Sequence, residues 1–457
     1  MIGSMNLQEV QAVTGGVLSG SDAVFSSVSI DSRTLQPGDL FIALTGPNFN
    51  GNTFIAAAAE KNAGAAIVSE DTHSTLPTLQ VEDTRLALGS IGALNRSRST
   101  ACVIALTGSQ GKTTVKEMTA AILSECGQVM MTQGNLNNDL GAPLTLSQIN
   151  KEHEYAVIEL GANGPGEIAY TVGLTQPRIG HITNIAGTHL EGFGDLNGVA
   201  RAKAELWQGI QEGGVAVVNL DDAFATQFIQ QIKTDSSKRQ IVTISGQGNN
   251  GADYWVEDSQ LNDLYSAEFS LHSPVGTNTI RLQVAGNHNI SNALAAAALA
   301  MTAGAGLDQV KAGLEKFTSV KGRQCIVSGL NDSTVIDDSY NASPASFYAA
   351  IDVLVNAEGP SIVVMGDMGE LGSEAETAHQ EVGSYAQQQG VDHFIGVGEL
   401  SRLAVSAFGE NGLFLEDRSS FLNVITPLLH KSVTVLVKGS RSQAMEKLVE
   451  QIRAGDK

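Results

Sequence analysis

The sequence predicts an α/β protein of three domains, on three observations. The chain has 457 residues, and domains usually run to about 100–200 residues. Short apolar, β-branched runs alternate with helical patterns along most of it, as in a doubly wound, mainly parallel sheet. That rhythm breaks twice, so the expected domains are 1–98, 99–318 and 319–457.

The first domain reads as a small α/β unit, with strands at 28–30, 40–44 and 65–68, the turn Pro37-Gly38-Asp39, and an Ala-rich helix at 54–60. The polar run 95–99 then gives way to Cys102-Val103-Ile104-Ala105-Leu106, the composition of a strand buried on both faces. Further such runs lie at 155–160, 179–185, 215–219 and 241–244. Residues 254–284 alternate without helical gaps, so an antiparallel flap is expected there, followed by helices at 291–302 and 307–317. A linker is placed at 318–323. Strands at 334–337, 361–366, 393–397 and 433–437 then predict a C-terminal Rossmann-like α/β domain.

Twenty-seven basic residues face 48 acidic ones, a formal charge of −21. Such a field repels nucleic acid and anionic membranes, so neither is expected as a partner. An anionic substrate would have to be held by local basic groups. The three cysteines stand far apart without CxxC spacing, as in a reducing cytoplasm. No basic residue precedes Arg33, so no secretory signal is read, and the apolar stretch 293–301 is too short to cross a bilayer. A cytoplasmic monomer is expected.

The strongest local feature is Thr107-Gly108-Ser109-Gln110-Gly111-Lys112-Thr113-Thr114. It follows a buried strand and opens a helix, the context in which backbone N–H groups and a helix N-terminus face a phosphate. Gly108 and Gly111 allow close backbone approach, Lys112 can reach the β- and γ-phosphates, and the Thr113 hydroxyl can ligate Mg²⁺. The usual GxxxxGK[ST] spacing would need glycine at 106, where this chain has Leu106.

Three further residues are candidates, each with a plain alternative. Glu159 ends an apolar strand and is either a Mg²⁺ ligand beside the loop or a solvated carboxylate. His189, in the glycine-flanked segment 187–194, is either a site residue or structural. Lys203 lies in a helical pattern where a solvated lysine is the simpler reading.

In order along the chain stand TGSQGKTT, Glu159-Leu160-Gly161, NIAGTHLEGFG, RAKAE, GNHNISNALAAA, Gly322-Arg323 and Asp337-Asp338-Ser339-Tyr340-Asn341-Ala342. Together they resemble the Mur ligases, which extend the peptide of peptidoglycan precursors and carry this short form of phosphate loop. Segments 134–146, 337–344, 365–372 and 437–441 look like the branch that adds D-alanyl-D-alanine to UDP-N-acetylmuramoyl-tripeptide (UDP-MurNAc-tripeptide). Asp31-Ser32-Arg33 and Phe49-Asn50-Gly51 look like the family's uridine-nucleotide domain, although the family often has aspartate where Asn50 stands.

The resemblance implies an ATP-dependent ligase working through an acyl phosphate, with Lys112, Glu159, His189 and Lys203 catalytic. It implies two Mg²⁺ ions, held by Thr113, Glu159, His189 and Lys203, the lysine being carbamylated. ATP is expected on loop 107–114, with Asn292 at adenine and Arg323 and Asp338 at phosphate and ribose. Asp31, Ser32, Arg33 and Asn50 are expected at the uridine nucleotide. Asn137, Asn138, Asn341, Lys438, Ser440 and Arg441 are expected around the peptide substrates, with a surface ion pair as the alternative for Arg441. Residues 318–321 are a candidate hinge. The competing readings are a ligase that adds a single amino acid and a non-catalytic nucleotide-binding regulator.

Overall fold

The computed structural model describes all residues except 188–189, 262–265, 285 and 456–457, and of Leu190 the backbone alone. His189 and its neighbour Thr188 therefore lie outside the described residues.

Among the described residues three large sheets follow one another along the chain, with two further two-stranded pairings, Met5–Asn6 with Val24–Phe25 and Thr45–Gly46 with Phe49–Asn50. The first has five strands, ordered Val17–Ser19, Thr78–Gln80, Ala65–Val68, Leu40–Ile42 and Val28–Ser29. Its outer pair Val17–Ser19 and Thr78–Gln80 is antiparallel and the rest is parallel. All four residues of Ala65–Val68 are buried, as expected of a parallel strand covered on both faces.

The central sheet has nine strands, ordered Val129–Met131, Tyr155–Glu159, Cys102–Thr107, Ile179–Ile182, Val215–Asn219, Gln240–Ser245, Tyr254–Leu261, Ala267–Ser273 and Gly276–Leu282. Pairing is parallel as far as Tyr254–Leu261. The last two pairings are antiparallel. The expected antiparallel flap is thus a meander continuous with the parallel sheet. One face of the sheet is covered by the helices Lys112–Leu123 and Asn287–Thr302, the other by Glu167–Thr175 and Leu196–Gly209. The helix expected at 291–302 starts a turn earlier, at Asn287.

The third sheet has six strands, ordered Cys325–Ser328, Thr334–Asp338, Thr434–Lys438, Ser361–Met365, His393–Gly396 and Gly412–Phe414. Cys325–Ser328 is antiparallel to its neighbour and the others are parallel. Sequence periodicity missed this edge strand, and also Val129–Met131, because both are short and only partly buried.

Within the polar run at 95–99, Asn95 and Arg96 are buried in the last turn of the helix Thr84–Ser97. Asn95 Nδ2 donates to the carbonyls of Leu146 and Ile149, each at 2.8 Å, and its Oδ1 accepts from Ile2 N. Arg96 donates to the carbonyls of Thr175 and Gln176. Polar side chains here replace water at helix ends that would otherwise be buried unsatisfied. Asn95→Ala removes the side-chain partner of Ile149 O and Ile2 N, while Leu146 O keeps Ile149 N at 3.3 Å, so chemical denaturation is expected to show a loss of about 1–3 kcal/mol.

Candidate active site

The loop 107–114 leaves the carboxyl end of Cys102–Thr107, the strand between Tyr155–Glu159 and Ile179–Ile182. Ligand crevices of parallel sheets form at such ends. Gly108 has φ +147°, and a Cβ on it would stand 1.9 Å from Thr183 Oγ1. Gly111 has φ +77°, and its Cβ would stand 2.5 Å from Asn292 Oδ1. Only glycine fits either position, and the second contact sets Asn292 against the loop.

Residues 183–186 brace the loop. Ser109 N donates to Asn184 O at 2.9 Å, Gln110 N to Asn184 Oδ1 at 3.0 Å, and Thr183 Oγ1 to Gln110 O at 2.5 Å. Lys112 Nζ donates to the loop's own carbonyls, Gly108 O at 2.8 Å and Ser109 O at 3.3 Å. Burial holds its pKa below the lysine range, with Glu159 opposing and Arg323 adding to the shift.

Glu159 is 2% exposed. Its Oε1 accepts from Asn137 Nδ2 at 2.7 Å, while Oε2 is buried without a hydrogen-bond partner. A buried, half-satisfied carboxylate is costly alone and well suited to a cation. Thr113 is buried at the start of the adjacent helix. Lys203 is 1% exposed, and burial, then the charge of Lys112, lowers its pKa to about 7. The solvated alternatives for Glu159 and Lys203 are thereby overturned: in each case the helix or strand turns the side chain inward. Among the described residues no group of three His, Cys, Asp or Glu is placed to hold a metal. Glu159, the Thr113 hydroxyl and a carbamate on Lys203 would supply hard oxygen donors of the kind Mg²⁺ takes.

A cavity of 520 Å³ opens between the central and third sheets. Ser109 to Lys112, Thr114 and Asn292 line one side, and Arg323, Asp338, Asn341 and Lys438 the other. Gln110 Nε2 crosses it to donate to Ser343 Oγ at 3.0 Å. Asp338 and Lys438, register partners at the ends of neighbouring parallel strands, form a buried ion pair at 2.6 Å. Lys438 also donates to Asn341 O at 2.9 Å. Lys438, expected beside the peptide substrate, is thus engaged with the residue expected at the ribose.

The remaining expected site residues lie away from the cavity lining. Thr107 is fully buried beneath the loop. Asn138 Oδ1 accepts from Gly141 N at 2.8 Å. Ser440 Oγ donates to Asp367 O at 2.7 Å. Arg441 is 61% exposed and pairs with Glu446 at 3.0 Å, which is its plain alternative. In the first domain Asp31 grips Arg33 through both carboxylate oxygens, which holds the Asp31 pKa down at about 2, and Ser32 is partly buried between them. Asn50 bonds Glu70 at 3.0 Å and the backbone of Asn52 at 2.9 Å, so it shapes its turn.

The descriptions "Mur ligase family, catalytic domain", "Mur ligase middle domain" and "Mur ligase, glutamate ligase domain" match residues 24–96, 106–300 and 322–441. A protein of Escherichia coli (strain K12) named UDP-N-acetylmuramoyl-tripeptide--D-alanyl-D-alanine ligase is 42% identical, with 98% of each chain covered. The chain belongs to the Mur ligase family. A Haemophilus influenzae relative of this Mur ligase bears the same name at 38% identity, with 99% of each chain covered. The crystal structure of MurF from Acinetobacter baumannii superposes with a TM-score of 0.91 at 37% identity, covering 98% of each chain. MurF from Thermotoga maritima in complex with ADP superposes with a TM-score of 0.82 at 25% identity, covering 93% of this chain and 96% of that one.

Sequence reasoning missed Thr183, Asn184, Asp221 and His181, all lining the cavity of this Mur ligase. Their signal was position: each lies in or just after a parallel strand whose carboxyl end faces the crevice. His181 is fully buried; Nδ1 bonds Val217 O at 2.9 Å and Nε2 has no partner. Burial lowers its pKa to about 4.

Two outcomes follow from this geometry. Gly108→Ala drives a methyl group into Thr183, so nucleotide titration should show binding at least about tenfold weaker. His181 binds its proton less readily folded than unfolded, so its share of stability is lost as pH falls from 6.5 toward 4. Denaturation curves of wild type and His181→Leu should diverge by about 3 kcal/mol across that window.

Proposed function

We propose that this Mur ligase joins D-alanyl-D-alanine to UDP-MurNAc-tripeptide, giving the UDP-MurNAc-pentapeptide, ADP and phosphate. The observation that carries the choice of substrates is likeness over essentially the whole chain to relatives whose names state them. We take residues 1–98 as the uridine-nucleotide domain, 99–318 as the ATP domain and 319–457 as the C-terminal domain. The peptide's free carboxylate is a poor electrophile, and phosphorylation turns one oxygen into a leaving group. A carboxylate oxygen of the tripeptide attacks the γ-phosphorus, and the bond to ADP breaks. The amine of D-alanyl-D-alanine then attacks the acyl carbon, phosphate departs and the amine gives up a proton.

Backbone N–H groups of 111–113 and the Lys112 ammonium hold the β- and γ-phosphates, where charge builds up during transfer. For Lys112 to do so, its bonds to Gly108 O and Ser109 O must give way to phosphate. Thr113 and Glu159 would hold one Mg²⁺; His189 and Lys203 would hold a second. The metal would supply charge neutralisation at the transferring phosphoryl group. Asn292 contacts adenine, and Arg323 and Asp338 hold phosphate and ribose from the third domain. Asp31 presents Arg33, with Ser32, to the uridine nucleotide while Asn50 shapes the neighbouring turn. Asn137, Asn138, Asn341, Lys438, Ser440 and Arg441 are our candidates for the peptide substrates, and for Arg441 that role requires release of its ion pair with Glu446.

A lysine with a pKa of about 7 is roughly half neutral at that pH. Its free amine can attack CO₂, forming an N–C bond and releasing a proton to leave a carbamate. Carbamylation of Lys203 would thus replace a buried cation by a metal ligand. No helix among the described residues is long and apolar enough to cross a membrane. We place the enzyme in the cytoplasm, acting as a monomer.

Phosphate release tests the acceptor. With ATP, Mg²⁺ and UDP-MurNAc-tripeptide, turnover is expected with D-alanyl-D-alanine and not with free D-alanine, diaminopimelate or glutamate. Turnover with a single amino acid would move the chain to another branch, and no turnover with any acceptor would favour a nucleotide-binding regulator. Enzyme equilibrated with ¹³C-bicarbonate should show a carbamate carbon resonance that is missing in Lys203→Ala, together with an activity loss of at least about 100-fold. A fully active Lys203→Ala without added bicarbonate would rule the carbamate out.

A further inference from the structure

The helix that carries Lys112 and Thr113 also carries a fully buried lysine one turn on. Lys116 is 0% exposed, and its Nζ donates to Thr132 O at 2.6 Å. Its carboxylate partner is the neighbouring Glu117, at 3.1 Å. Burying an ammonium group costs several kcal/mol unless it is paired and hydrogen-bonded, and an apolar side chain would fill the space without that cost. The carbonyl that Lys116 takes explains why it is there.

Thr132 follows the edge strand Val129–Met131, which pairs in parallel with Tyr155–Glu159. Thr132 N donates to Val157 O at 3.1 Å. In a regular parallel ladder, the N–H two residues beyond Val157 would return to the Thr132 carbonyl. That N–H belongs to Glu159. It donates instead to the Thr132 hydroxyl, at 3.0 Å. The displaced carbonyl is the one Lys116 occupies. Thr132 itself is fully buried, so water does not supply the missing partner.

We propose that Lys116 and Thr132 are positioning residues for Glu159. Lys116 draws the Thr132 carbonyl out of the ladder and Thr132 offers its hydroxyl in exchange, so the pairing with the edge strand ends at Glu159 while Glu159 stays in register with Leu106 on its other side. Asn137 Nδ2, on Oε1 at 2.7 Å, fixes the carboxylate from the other side and leaves Oε2 free. Because Lys116 and Thr113 share one helix, the relay ties the hydroxyl and the carboxylate proposed for one cation to a common frame. Changing partners of this kind typically costs about 10–100-fold in metal affinity.

This inference rests on the reading of Glu159 as a Mg²⁺ ligand. The test is nucleotide binding by the full chain, with ADP titrated with and without Mg²⁺, so that turnover is not the readout. Lys116→Met keeps the bulk and frees the carbonyl to take the Glu159 N–H. Thr132→Val keeps the shape and the carbonyl but removes the hydroxyl; it carries the test alone if Lys116→Met does not fold. Both are expected to weaken Mg²⁺-dependent ADP binding by about tenfold while metal-free ADP binding stays unchanged. Thr132→Ser, which retains the hydroxyl, should behave as wild type. A lowered melting temperature with an unchanged Mg²⁺ effect in both variants, while Glu159→Gln does lose that effect, would overturn the relay and leave Glu159 a ligand. A full Mg²⁺ effect in Glu159→Gln would overturn the ligand reading and the relay with it.

Discussion

A triphosphate and a carboxylate must meet inside a protein whose own formal charge is −21. The structure meets that constraint by placing individual cations in and beside one cavity, among acidic residues such as Asp221, Asp222 and Asp338. Lys112, Arg323 and Lys438 line one cavity, and Lys203 lies close enough to feel the charge of Lys112. In a site shielded from solvent each charge acts more strongly than at the surface. The depressed pKa values of Lys112 and Lys203 are the counterpart: crowded, desolvated cations hold their protons less firmly until an anion arrives.

Holding those groups requires a stiff frame on one side and a separable one on the other. The first and central sheets are joined through Asn95 and Arg96, buried side chains that satisfy the backbone of the opposite domain. Such polar networks are specific and do not slide. The phosphate loop meets the third domain differently, across a cavity and through the side-chain bond from Gln110 to Ser343. An open, polar junction is the kind that permits domain closure around substrate. Residues 318–321, the candidate hinge, run between the helix Leu307–Lys316 and the strand Cys325–Ser328.

Much of the fold was legible because parallel strands buried on both faces must be continuously apolar. Cys102–Thr107, Tyr155–Glu159 and Val215–Asn219 all announced themselves in that way. Short or edge strands such as Cys325–Ser328 did not, since one side of them needs no hydrophobic residue. Among site residues, the loop was legible because glycine at 108 and 111 is forced by backbone geometry, and such needs are written locally. Lys203 read as a solvated helix lysine because helical spacing does not reveal which face is buried. Lys116 gave no signal at all, because its meaning lies in a carbonyl sixteen residues away.

The sequence by itself determined the α/β class, the phosphate loop, the candidate carboxylate Glu159 and the family. The first three depend on local periodicity or on residues close together in the chain, and the family on the order of short motifs along it. Only the tertiary structure decided that Glu159 keeps one oxygen without a partner, that Asp338 and Lys438 pair across neighbouring strands, and that Thr132 gives up its carbonyl to Lys116. These are long-range facts: they arise where strand ends, helix faces and a second domain converge, and no short window of sequence contains both partners.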